Sequence, residues 1–492
     1  MKKVDLRYIL GPEDVLEKIK QYFNKERRFI FIFTFILGIL THFLLLSKTI
    51  LSQDGLWHIF HYTSGTYEAT LGRWGIDFFD SLRNDIALPF ITTLISIIIM
   101  GFINILIIEI LEIKSKVSKI ISAITVVVSP SLCMTLLYAY TADVYYYACF
   151  LSVFTVYAFY RIRNKKLGTI LGIISFIITL STYQSYMGIT VGLILMISIK
   201  TLLTEKKSTI KVINDIVIKA IILIISAILY FFITIALLKI LKLDLAPYGG
   251  ANTISLSTIF KSIIVSIKKA YIGFIKYFFA DGVVLNRAWK RDKLFLIFFA
   301  ITAIEAILLF IKNLIGNKEK KEVFIRFIFS GVLVLCLPIA LNLVIIIASG
   351  NEIYYLTSTQ MLLMIPFSLM LFELVQKDVI TNILNWGAVV VSFMIITTYF
   401  ISISVTYQTA EMAYEQAKAI SIRVLNRIEE CPGYRAEMPK LFAGIVDDNN
   451  FPKVLDIYNY AITNSLRGTI FHGTYWGQGA TWNSFMNTFL RY

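Results

Sequence analysis

The chain has 492 residues, 57% of them hydrophobic and only 16% charged, where an ordinary soluble chain carries about 25% charged residues. Mean hydropathy is +0.73 and the formal net charge is +15. These values exclude a cytosolic enzyme, a disordered chain and a disulfide-stapled secreted scaffold. They point to a polytopic membrane protein whose excess charge sits in cytoplasmic loops and against anionic lipid, not on nucleic acid.

Residues 1–28 form a basic arm holding Lys2, Lys3, Arg7, Lys18, Lys20, Lys25, Arg27 and Arg28, with a surface helix expected to open near Pro12. The first apolar run follows this arm and has no small-residue cleavage site after it, so it does not read as a signal peptide. Apolar runs predict about eleven transmembrane helices, at 29–46, 89–111, 119–138, 144–160, 167–182, 186–203, 213–240, 294–312, 327–348, 358–376 and 382–405. Basic short loops at 114–119, 161–166, 205–211 and 312–326 alternate with loops near Tyr140, Tyr183 and Asn351 that contain no Lys or Arg. The positive-inside bias then puts the N-terminus in the cytoplasm and, with eleven spans, the C-terminus outside.

The expected fold is therefore an all-α polytopic membrane domain over 29–405, with outer loops 47–88 and 241–293 that include interfacial helices. Residues 406–492 read as a small extracytoplasmic α/β region: a helix over 410–430 ended by Pro432-Gly433, a strand over 440–446, a helix over 451–462, then an aromatic, turn-rich stretch. Cysteines 133, 149, 336 and 431 form no CxxC, so neither a zinc ribbon nor a redox pair is implied.

The first outer loop concentrates the chemistry. Asp54, His58 and His61 fall at i, i+4 and i+7, one face of a helix if a helix forms there. No fuller ligand pattern accompanies them, so an amphipathic surface helix is preferred to a metal site, and dependence on a divalent metal stays open. Asp54 lies at the outer mouth of the first span. There it reads either as a base strengthened by partial desolvation or as a helix N-cap. Arg73, Asp77 and Asp80 repeat the same spacing, with Arg73 facing an anion or pairing with Asp77. Trp74 is a sugar platform or an interfacial anchor.

Pro130 is expected to kink the third span. Asp143 then stands in a short outer turn among Tyr138, Tyr140, Tyr145, Tyr146 and Tyr147, and Tyr183, Gln184 and Tyr186 crowd the next outer turn. The two readings are a shared outer pocket and an aromatic belt. In 241–293, Lys261, Lys268, Lys269 and Lys276 mark one face of an amphipathic segment, followed by Arg287, Lys290, Arg291 and Lys293. Cations on the outer side run against the positive-inside bias. They fit the phosphate of a membrane-embedded lipid donor, or adhesion to anionic lipid. Glu109 and Glu305 are carboxylates within spans, a functional flag by default.

GRWGIDFF in the first loop, SPSLCMTLLYAYTADVYYYACFLSVFTVYAFYR across spans three and four, and LSTYQSYMGI after span five together resemble the Gtr-type glucosyltransferase family. These are bacterial membrane enzymes that decorate surface polysaccharide, within the GT-C superfamily. The resemblance covers roughly residues 30–405 and implies a polyprenyl-phosphate sugar as donor, a surface glycan as acceptor, no cofactor, and a donor synthase and flippase as partners. The family often carries an acidic pair in the first loop, where this chain has Asp54 alone. The expected reaction is inverting transfer at the outer face, with Asp54 as general base. Arg73 or the Arg287, Lys290, Arg291 and Lys293 cluster would bind the donor phosphate, and Trp74, Asp143, Tyr183 and Gln184 the sugars. A flippase for lipid-linked glycans and a non-catalytic envelope scaffold are the alternatives. The lack of an internal repeat and the gathering of polar residues on one side weigh against a flippase.

Overall fold

A computed structural model describes residues 11–52, 54–204, 208–247, 256–279, 291–316, 319–347, 355–375, 378–435, 437–438 and 475–489. The protein is an all-α polytopic membrane protein. Helix α1 (Pro12–Tyr22) starts on proline as expected, and α2 (Lys25–Thr41) is capped by the Asn24 side chain, which accepts from the Arg27 amide at 2.9 Å. After α3 (Phe43–Ser47) the chain leaves the bundle and makes α4 (Gly65–Thr70) and α5 (Gly75–Ser81). Strands β1 (Phe60–His61) and β2 (Ile86–Ala87) pair antiparallel, Phe60 opposite Ala87, and close this loop at its base.

The bundle continues with α6 (Pro89–Leu111), α7 (Lys116–Val127), α8 (Pro130–Leu136), α9 (Ala142–Arg161), α10 (Lys165–Thr182), α11 (Met187–Thr204) and α12 (Thr209–Leu241). It is completed by α13 (Leu256–Phe279), α14 (Arg291–Gly316), α15 (Lys320–Leu341), α16 (Val344–Ile347), α17 (Met364–Leu374), α18 (Val379–Glu429) and α19 (Tyr475–Phe489). Among the described residues eight helices are long and apolar enough to cross a membrane, and nine if the bent pair α7–α8 is one span. The other two expected spans are interrupted helices. The run 29–46 divides at His42, and 358–376 begins as a 3-10 turn, Thr359–Leu363, before α17.

The bend of 41° between α7 and α8 follows from Pro130, which cannot donate an amide to the helix before it. The Val127 carbonyl at the end of α7 is taken up by two side chains: His42 Nε2 at 3.2 Å and Cys133 Sγ at 3.3 Å. Since Nε2 donates, His42 Nδ1 accepts from the Tyr407 hydroxyl at 2.9 Å. This fully buried relay ties the breaks in two spans to α18. Asn104 does similar work, donating to Thr34 Oγ1 at 3.0 Å and to the Ala123 carbonyl at 3.3 Å.

One end of the bundle is basic. There Arg27 clasps Glu109 bidentately through Nε and Nη2, at 2.5 and 2.9 Å, which answers the flag on Glu109. Glu112 pairs with Arg161 at 2.6 Å and Lys200 at 2.5 Å, and Lys312 with Asp378 at 2.7 Å. Glu305 is different. It is fully buried on α14, and neither carboxylate oxygen has a hydrogen-bond partner among the described residues.

Three expectations change. Helix α13 is docked on the bundle, with Ser266 donating to the Ile345 carbonyl at 3.1 Å and Asn342 to the Ala270 carbonyl at 3.2 Å, so it is not merely laid on lipid. The last span and the tail helix are one helix: α18 runs 51 residues without a break. At about 1.5 Å per residue it is about 76 Å long, well over the roughly 30 Å of a hydrocarbon core, so it carries packing surface far beyond the membrane. In the aromatic stretch near the C-terminus, Tyr475–Phe489 is helical as α19 where turns were expected. The strand expected at 440–446 and the helix at 451–462 lie outside the described residues.

Candidate active site

The end opposite the basic one gathers the first loop, the turn before α9, the turn after α10 and the start of the 355–374 segment. The GRWG stretch explains how the loop is seated. Gly72 has φ +75°, a left-handed turn that suits glycine, and its carbonyl accepts from the Tyr230 hydroxyl at 2.9 Å. A Cβ on Gly72 would run into that hydroxyl, and one on Gly75 into the Ser181 hydroxyl. Gln184 donates to the Leu71 carbonyl at 3.1 Å and to Tyr230 at 3.0 Å, and Trp74 Nε1 donates to Thr234 at 3.0 Å. The two glycines thus let the loop settle onto α10 and α12, while Trp74 and Gln184 fasten it there.

Arg73 is held between these anchors. Its guanidinium lies 3.5 Å from Glu68 and 5.5 Å from the centre of the Tyr183 ring. Its expected partner Asp77 instead lies 3.5 Å from the Ser64 hydroxyl. Burial pushes the Glu68 carboxyl up, against the pull of Arg73. Tyr183 is buried and meets Tyr145 and Tyr186 edge to face at 4.7 and 4.9 Å.

Below this lies a cluster that the sequence reading missed. Arg83 donates to Asp80 at 2.5 Å, to Asp143 at 3.1 Å, and to the carbonyls of Ile86 and Tyr140 at 2.6 Å each. Asp80 is 0% exposed, Asp143 1% and the Arg83 side chain 5%. One guanidinium faces two carboxylates, and burial pushes the Asp80 carboxyl up to about 8. Asp143, expected among the sugar ligands, is thereby built into the base of the loop. Asp80, Arg83 and an unexplained Asp143 in a turn without Lys or Arg were the available signal, but nothing local pairs residues 60 apart.

Asp54 opens a four-residue 3-10 turn, Asp54–Trp57, and is exposed. Ser52 supplies a cap: its hydroxyl accepts from the Gly55 amide at 3.2 Å while its own amide donates to the Leu137 carbonyl at 3.2 Å. The Asp54 carboxylate is in electrostatic reach of the Tyr138, Tyr140 and Tyr355 hydroxyls, and Tyr138 and Tyr355 hydrogen-bond each other at 3.0 Å. His58 stands 4.5 Å from Tyr62 and 4.8 Å from Tyr140, ring centre to ring centre. Burial lowers it to about 4, so it joins this aromatic wall as a neutral ring. Asp54, His58 and His61 occupy a 3-10 turn, a bend and a strand, so they do not share a helical face. Among the described residues no three His, Cys, Asp or Glu side chains come together as a metal site.

Of the cationic cluster, Arg287 and Lys290 lie outside the described residues. Arg291 is the first residue of α14, and Lys293 is exposed in its first turn. Since the other end of α14 pairs with Asp378 through Lys312 at the basic end, this turn opens at the aromatic end.

No curated protein and no solved structure matches the chain. The family model described as glucosyl transferase GtrII matches residues 42–365, from the break before α3 to the start of α17, and takes in the loop, both tyrosine turns and the start of α14. With well over half of its length matched, and with membrane helices supporting a single polar, aromatic end, the chain belongs to the GtrII glucosyl transferase family.

Proposed function

We propose that this glucosyltransferase moves glucose from a polyprenyl-phosphate donor to a surface glycan, with inversion, at the aromatic end of a GT-C-like fold. The observation that carries the reading is the state of the carboxylates there. Asp80 and Asp143 are buried and Glu68 is half-buried, while Asp54 is exposed within electrostatic reach of the Tyr138, Tyr140 and Tyr355 hydroxyls. Asp54 takes the proton of the acceptor hydroxyl, and the oxygen attacks the anomeric carbon. The bond from that carbon to the phosphate oxygen breaks, and its electron pair leaves with the lipid phosphate. Arg287, Lys290, Arg291 and Lys293 stabilise the departing charge. Arg73 has its own partners, so it shapes the site next to Tyr183 more than it clamps the lipid.

The aromatic end faces outside a cytoplasmic membrane, because the loops at the opposite end hold the Lys and Arg excess. Exposed Cys431, just past α18, should label with a membrane-impermeant maleimide in intact cells once any outer envelope is opened. Labelling only after lysis reverses the orientation. The activity itself is tested in liposomes with radiolabelled polyprenyl-phosphate glucose and extracted cell-wall glycan. No transfer by demonstrably folded protein sinks the reading. For the clamp, a lost charge-assisted bond of roughly 1.5–3 kcal/mol should raise donor KM about tenfold or more in one of the four Ala variants. Unchanged KM in all four moves the phosphate to Arg73.

A further inference from the structure

A second apolar cluster lies outside the membrane core and joins stretches far apart in sequence. Leu51 and Leu56 flank Asp54, Tyr414 comes from the far part of α18, and Trp482, Phe485 and Met486 come from α19. Leu56 and Phe485 are both 0% exposed, and the Tyr414 and Phe485 rings meet edge to face at 5.6 Å. The Asp54–Trp57 turn has little rigidity of its own, because four residues of 3-10 helix close few backbone bonds. Beyond the hydrogen bonds of Ser52 to the Gly55 amide and the Leu137 carbonyl, it is held by the seat beneath Leu56. That seat is built by α18 and α19, and both lie past the stretch matched by the family.

We propose that α19 is a positioning element for the transfer reaction, with Phe485 holding Leu56, and through it the Asp54 carboxylate, in line with the acceptor hydroxyl. This rests on Asp54 as the base. A base works only within a narrow geometry, and a displacement of about 1 Å costs on the order of 10²-fold in rate. Phe485 lies in the apolar seat on the protein side of the turn, so its effect belongs in kcat and leaves donor binding alone.

The experiment is a double-mutant cycle in liposomes, at saturating acceptor and varied polyprenyl-phosphate glucose. Phe485→Ala should lower kcat about 10- to 100-fold with donor KM within about twofold of the parent. Phe485→Leu, which refills part of the seat, should recover most of the rate. Asp54→Asn/Phe485→Ala should be no slower than Asp54→Asn, because there is no base left to misplace. Losses that multiply, or a change confined to donor KM, overturn the proposal. So does a normal kcat in Phe485→Ala when Asp54→Asn is inactive, and that result leaves the base assignment standing. Near-parental turnover in Asp54→Asn removes the base assignment itself. Should Phe485→Ala not fold, Phe485→Leu and Met486→Ala carry the same cycle with smaller losses, and multiplicative losses there overturn the proposal equally.

Discussion

Two kinds of carboxylate share the aromatic end. Asp80 and Asp143 are buried around Arg83, some of their oxygens lacking hydrogen-bond partners among the described residues, and they link the first loop to α9. Asp54 is exposed on a turn whose cap is supplied by Ser52. A buried pair of charges adds little net stability yet is costly to break, whereas an exposed carboxylate is cheap to lose for folding. The first kind should therefore answer in stability and the second in rate.

The widest separation between the two is expected for Asp54→Asn. Transfer should fall roughly 10²- to 10⁴-fold with an unchanged melting temperature in detergent. Asp143→Asn should show the reverse emphasis, a lower melting temperature and a smaller loss of rate. An inactive but thermally normal Asp143→Asn beside an active Asp54→Asn would move the base to Asp143.

Next in size is Arg83→Met, which leaves the buried Asp143 carboxylate and the Asp80 carboxyl without their cation and should destabilise by about 3–5 kcal/mol. Thermal unfolding followed by fluorescence-detected size exclusion reads this directly. Gly72→Ala should cost about 1–3 kcal/mol, because a side chain is forced into a left-handed turn beside Tyr230. Adding Tyr230→Phe should relieve the contact and leave the backbone strain, so rescue is partial.

The pH response is subtler, and its sign is set by Asp80. Its folded pKa, about 8, lies above the ordinary value of 3.8, so the folded state keeps a proton that the unfolded chain releases. That contribution to stability is complete below the ordinary value and is lost as pH rises through about 8. Melting temperature should drop between pH 6 and pH 9, and Asp80→Asn should flatten the drop. An equal drop in the Asn variant would place the titration elsewhere. The smallest effect belongs to Trp74→Phe, which loses one hydrogen bond to Thr234 worth about 1 kcal/mol. A large loss of turnover there would show Trp74 touching sugar.

How much of this was legible beforehand varied with the range of the interaction. Each of the eleven apolar runs overlaps helix, although 29–46, 119–138, 327–348 and 358–376 are divided into shorter pieces, since hydropathy over about 18 residues is a local property. The kink at Pro130 and the start of α1 at Pro12 were readable for the same reason. GRWG was recognisable as a string, yet its meaning is a contact with Ser181 and Tyr230. The helical reading of Asp54, His58 and His61 failed because spacing says nothing of the 3-10 turn, bend and strand that these residues take.

By itself, then, the sequence determined that the protein is an all-α membrane protein, where its apolar runs lie, and which family's residues it carries. Burial and pairing were decided only by the tertiary structure. Arg83 reaches Asp143 across 60 positions, His42 reaches Tyr407 across 365, and Phe485 comes to the turn beside Asp54 from beyond the matched family region. Whether a carboxylate is a foundation or a base depends on desolvation and on the cation beside it. Both are set by chain segments that meet only once the bundle has closed.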